Sequence, residues 1–135
     1  MCLASRRKTA KVATEDIICY KFAIIRKNQR LSPFQLTPYM IGEVMEDKGE
    51  VEINESISDK KYYIGKGMFH SFAHLSDAAD RRYYFQALFN MMDEYCIYKC
   101  IIPKGTKYYE GTFAYNIWGY ASRSLLIAEE IKMDV

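Results

Sequence analysis

Apolar positions along the chain gather in runs of strand length. Residues 16–26 (DIICYKFAIIR) put Ile, Cys, Tyr and Phe close together, the pattern of a central strand buried in part on both faces. Residues 95–102 (YCIYKCII) and 124–131 carry similar runs. Between these two, Pro103-Lys104-Gly105 predicts a turn that returns 106–109 as a partner strand. Residues 42–53 (GEVMEDKGEVEI) alternate apolar and acidic positions about Asp47-Lys48-Gly49. That pattern predicts a hairpin with Gly49 at positive φ and with Glu43, Glu46, Glu50 and Glu52 facing water. Shorter extended pieces are expected at 62–64 and 68–73, interrupted by Gly65 and Gly67. Asn28-Gln29-Arg30 reads as turn material, Pro33 and Pro38 make 31–40 irregular, and 54–61 reads as loop. No element is assigned at 112–119.

One stretch has a helical period. Ala78, Phe85 and Met92 recur every seven residues with Leu88 and Phe89 between them, giving one apolar stripe. Ser76 is placed to cap the first turn and Asp77 complements the positive end, so a helix is expected over 77–92. The whole predicts an α+β class: one domain over 16–135, a twisted and mostly antiparallel sheet of about six strands, and one main helix packed on it. Residues 1–15, with Arg6, Arg7, Lys8 and Lys11 and no acid before Glu15, read as a basic N-terminal arm.

Composition narrows the function classes. Half of the 135 residues are hydrophobic and 15% are aromatic, which describes a folded chain. Twelve Tyr outnumber seven Phe and one Trp. Tyr fills strand positions, and it also suits surfaces that are apolar on one side and wet on the other. A net charge of +2 is too small to imply nucleic acid. No apolar run reaches the length of a bilayer span and no apolar segment follows the basic cluster, so no membrane is expected and the location is cytoplasmic. The four Cys are then free thiols.

Candidate chemistry is sparse. His70 and His74, and Cys96 and Cys100, share a spacing of four, but on strands that spacing separates ligands by roughly 13 Å, so neither pair is expected to bind a metal. Cys2 has the position of an N-terminal nucleophile, yet the basic arm behind it argues for an ordinary thiol. Gly65-Lys66-Gly67 lacks the strand-to-helix context of a phosphate loop, and Ser122 and Ser124 have no His or acid to activate them. No catalytic set and no cofactor follow. What remains is a cleft. Lys104, Tyr108, Tyr109, Tyr115, Trp118 and Tyr120 are close in sequence, and Phe69-His70-Ser71-Phe72 is expected alongside them. Aromatic faces with one or two cations suit a flat or anionic small molecule such as a nucleotide. The ligand-binding residues expected on this reading are Tyr20, His70, Ser71, Lys104, Tyr109, Trp118 and Tyr120.

The order MCL, DIICYKFAI, LSPF, GMFHSF, KCIIPKGTKYYEG, GYAS, LLI resembles a group of short uncharacterised proteins of Bacteroidota and their phages. That likeness implies a single domain and a phage or mobile-element context, in the cytoplasm of a bacterial cell or an infected host. More distantly, GMFHSFAHLSDAA and the Ile102–Gly105 turn are similar to the middle strand and the late turn of ADP-ribosyltransferases. The catalytic Glu that such enzymes carry on the late strand has no counterpart at 120–126, where Ser122 and Ser124 stand. The resemblance therefore implies binding more than turnover. The expected function is a non-enzymatic protein that sequesters a nucleotide-like small molecule or blocks a host protein. The alternatives are an ADP-ribosyltransferase-like enzyme with a displaced acid, and an assembly protein forming homo-oligomers through exposed Tyr.

Overall fold

The computed structural model describes residues 2–32, 37–88 and 94–132, with helix side chains as far as Arg82. Among these the chain is mostly β. Twelve strands form one sheet: β1 Leu3–Ser5, β2 Lys11–Val12, β3 Ile17–Arg26, β4 Gln29–Leu31, β5 Val44–Glu46, β6 Ile53–Ser56, β7 Lys61–Ile64, β8 Phe69–Phe72, β9 Glu94–Ile102, β10 Lys107–Phe113, β11 Ile117–Ser122 and β12 Ser124–Ile131. One helix, α1 Leu75–Leu88, accompanies them. The expected α+β domain with about six strands is thereby corrected. The long apolar runs at 16–26, 95–102 and 124–131 do become β3, β9 and β12, and the Pro103 turn holds with Gly105 at φ 89°. Most of the additional strands are only two to four residues long, and pairing places them where apolar pattern could not.

The path through the sheet runs β5-β12-β9-β3-β8-β11-β10-β1-β7-β6, with β2 on β10 and β4 on β3. Every ladder among the described strands is antiparallel. This order overturns the hairpin expected at 42–53. β5 pairs with β12 and β6 with β7, at opposite ends of the path, and Gly49 does not take positive φ. Nine strand steps at about 4.8 Å would separate those ends by about 43 Å in a flat sheet. The seven residue steps from Glu46 to Ile53 reach at most about 25 Å. The sheet must therefore curl until its two ends approach each other.

The basic segment is not a free arm. β1 is inserted between β10 and β7, Leu3 is fully buried, and β2 lies along β10. Ala13 exchanges backbone hydrogen bonds with Thr106 and Gly105 at 2.9 and 2.8 Å. Arg6, Arg7 and Lys8 stay exposed between the two pieces. The turn expected at 28–30 falls one residue earlier: Lys27 and Asn28 both have positive φ, the backbone of a tight hairpin turn joining β3 and β4. The helix begins at Leu75, so Ser76 lies inside its first turn and not before it. Ala78 is fully buried and α1 packs on β3, β8 and β9. The side chains of Phe85 and Leu88, and residues 89–92, lie outside the described part.

Two buried clusters result. One gathers Phe22, Phe72, Ile97 and Phe113 with Leu3, Ile64 and Ala78. The other gathers Cys19, Ala23, Cys96, Tyr98, Cys100, Leu125 and Ile127. Strand alternation along β3 supplies both, since successive side chains point to opposite faces.

Candidate functional site

β3 is apolar through its middle except at one position. Lys21 stands between Tyr20 and Phe22, and alternation puts it on the same face as Cys19 and Ala23. In the β3–β9 register Cys19 opposes Cys100, Lys21 opposes Tyr98, and Ala23 opposes Cys96. The Lys21 ammonium donates to the carbonyl oxygen of His70 on β8 and lies 5.8 Å from the centre of the Tyr39 ring. Tyr39 in turn donates through its hydroxyl to the Phe22 carbonyl at 3.2 Å and meets the Tyr98 ring edge-on at 6.4 Å. Arg30 Nε donates to the Tyr98 hydroxyl at 3.1 Å. Among the described residues no carboxylate comes within ion-pair distance of Lys21; the Lys99–Glu129 pair, at 3.8 Å, lies elsewhere.

Lys21 opens on a cavity of about 370 Å³. Its walls are apolar and aromatic: Phe22, Phe69, Phe72, Met45, Met68 and Tyr39. His70 also lines it, as do Asp47, Glu52 and Lys66, of which Glu52 and Lys66 are exposed and mark the mouth. The curl of the sheet makes this space, since Met45 comes from one end of the path and residues 65–68 from beside the other. The rim is pinned. Arg123 Nη1 donates to the carbonyls of Gly49 at 2.7 Å and Gly67 at 2.5 Å. Glu52 N–H donates to Lys66 O and Gly65 N–H to Glu52 O, each at 2.9 Å. Gly67 is required there: its φ is 92°, and a Cβ would stand 2.4 Å from Glu50 O.

Enclosure shifts the groups around the cavity. Burial pushes the Lys21 ammonium below the ordinary lysine range, against the opposing influence of the Cys100 and Cys19 thiols. Burial also lowers His70, although its rings nitrogens face the Ile64 carbonyl at 2.9 Å and the Met68 carbonyl at 3.1 Å. Tyr39 is pushed well up by burial, Tyr98 to about 12, and Cys96 to about 11. The Cys100 thiol donates to the Tyr98 carbonyl at 3.7 Å, and the facing Cys19 and Cys100 thiols shift each other in opposite directions, Cys19 down and Cys100 up.

Of the seven residues expected to bind a ligand, His70 lines this cavity. Ser71, next to it, is buried beside Cys19 with no hydrogen-bond partner found for its hydroxyl. Tyr20 packs on the opposite face of β3 from Lys21, against the cluster of Phe22 and Phe72. Tyr109 is buried and donates to the Lys8 carbonyl at 2.9 Å. Tyr120 packs against Tyr108 with ring centres 6.1 Å apart. Trp118 is 51% exposed. Lys104 lines a separate open groove with Glu46, Lys107 and Arg123, and its N–H donates to Asp16 Oδ1 at 2.8 Å. The continuous cleft expected from these side chains does not line this cavity, where the polar centre is Lys21. A lysine inside the otherwise apolar nine-residue run Ile17–Ile25 was the signal available for it.

Among the described residues no three His, Cys, Asp or Glu side chains gather to hold a metal ion. No described helix is long and apolar enough to cross a membrane. No protein-family model, curated protein or solved structure matches the chain, so nothing in these comparisons bears on the two resemblances.

Proposed function

We propose that this protein binds a small, flat, partly aromatic molecule of nucleobase to nucleotide size in the cavity beneath the curled sheet. An oxygen atom of the ligand would meet Lys21. The observation that carries the reading is the half-buried Lys21 ammonium, which has donors to spare and no carboxylate in ion-pair reach among the described residues. Burying an unpaired charge costs free energy unless something compensates it, and a ligand oxygen is the compensation the cavity admits. A space of about 370 Å³ lies within the range of small-molecule sites, about 300–1,000 Å³, and its walls are mostly apolar, as such sites are.

Thermal melting in the presence of nucleobases, nucleosides, nucleotides and aromatic carboxylates tests the reading. A ligand that prefers the folded state at a hundred times its Kd stabilises it by about 2.7 kcal/mol, a rise of several degrees in Tm. At least one class is expected to raise Tm in the native chain and to leave Lys21→Met unmoved. No shift from any class, or equal shifts in both proteins, would remove Lys21 from the site.

A further inference from the structure

Among ligands able to present an oxygen to Lys21, one class reacts with it. Resting on the cavity reading above, we propose that Lys21 is a nucleophile that captures a small aromatic aldehyde or ketone as an imine.

Three features of the site converge on this chemistry. The amine lines the cavity and is not spread over the surface, so a carbonyl carbon held among the aromatic walls is presented to it. No carboxylate among the described residues holds the amine in its charged form; its partners are a backbone carbonyl and an aromatic ring. The wall residues Tyr39 and Phe69, which pack with the cluster on the Lys21 face of β3, offer flat apolar contact to the ring of an aromatic carbonyl compound. Burial separately favours the neutral amine, the form with a lone pair to donate.

The step balances without any oxidant or reductant. The nitrogen lone pair forms a C–N bond to the carbonyl carbon, the C=O π pair moves to oxygen, and oxygen takes one proton from nitrogen. Nitrogen then forms the second C–N bond as the hydroxyl departs, taking the remaining amine proton and leaving as water. Both hydrogens of the neutral amine end on that water molecule. Hydrolysis reverses the sequence, so capture is reversible.

The test is reductive trapping on the full chain. The protein is incubated near neutral pH with 2-hydroxybenzaldehyde and cyanoborohydride, then analysed by intact mass and peptide mapping. Exposed Lys48 serves as the internal reference. Burial leaves Lys21 more of the neutral amine and the cavity holds the aldehyde against it, so Lys21 is expected to label severalfold ahead of Lys48. Lys21→Arg is expected to lose that adduct and keep the slow one. Should that variant not fold, the native chain still decides: 2-hydroxybenzyl alcohol, which cannot condense, should slow labelling at Lys21 and leave Lys48 unaffected. Labelling of Lys21 no faster than Lys48 overturns the proposal. If the aldehyde raises Tm yet leaves Lys21 unlabelled, the covalent step fails while the binding site stands. If it neither labels Lys21 nor raises Tm, and no other class raises Tm either, both readings fail.

Discussion

Replacing Lys21 with Met separates a lysine that holds the fold together from one kept for a ligand. The two side chains are of similar length, so the change opens no large void. The variant loses the hydrogen bond to the His70 carbonyl, worth about 1.5–3 kcal/mol for a charged donor. It also loses the contact with the Tyr39 ring, worth about 0.5–2 kcal/mol. If nothing opposed these losses the variant would be about 2–5 kcal/mol less stable. The opposing effect is the desolvation of the half-buried ammonium, up to several kcal/mol where an ion is fully removed from water, which Met does not suffer. The downward shift of Lys21 says that its surroundings favour the neutral form. Lys21→Met is therefore expected to lose less than about 1 kcal/mol, or to gain, in urea unfolding at pH 7. The sign with pH follows from the same shift. The folded state releases its proton at lower pH than the unfolded chain, whose reference value is 10.5. Between those two values the unfolded chain binds more protons, so native stability rises with pH in that window, and the rise should be absent from Lys21→Met. A loss of more than about 2 kcal/mol, with an unchanged pH profile, would show that Lys21 is a structural lysine and refute the reasoning.

Further tests address the frame and the cavity. Leu3→Ala is expected to cost about 2–5 kcal/mol in chemical denaturation, because Leu3 is fully buried between β10 and β7; a neutral result would restore a free N-terminal arm. Gly111→Ala places a Cβ 2.0 Å from the Ala4 carbonyl oxygen, so it should force β1 off β10 and destabilise by at least about 1–3 kcal/mol; a native-like Tm would contradict that pairing. His70 titrates below its ordinary value of 6.5 in the folded chain, so stability should fall as pH drops below about 6.5. That fall should be smaller in His70→Gln, and identical pH profiles in the two proteins would remove His70 as its source.

The parts of the fold that could be read in advance were those with long apolar runs. β3, β9 and β12 have eight to ten residues each, enough for burial alone to mark them. β1, β2, β4, β5 and β6 have two to four, and their neighbours in the sheet fix them more than their own sequence. The alternation at 42–53 was real but was assigned to the wrong partners, because alternation gives the face of a strand and says nothing of which strand lies beside it. The tyrosine-rich stretch misled in a similar way. Tyr108 and Tyr109 point to opposite faces, and Trp118, though next to Gly119 in β11, remains largely in solvent. Residues near in sequence were thus dispersed, while Lys21, Tyr39 and His70 came together where β3 meets β8. His70 was legible as a polar group in an apolar strand. Lys21 carried the same signal more strongly.

The most direct measurement is NMR of the chain with lysines labelled at the carbon bearing the amine. One signal, absent from Lys21→Met, should titrate below all the exposed lysines and shift when a compound that raises Tm is added. If that signal titrates together with the exposed lysines and no compound moves it, Lys21 does not face a binding cavity and the account is wrong.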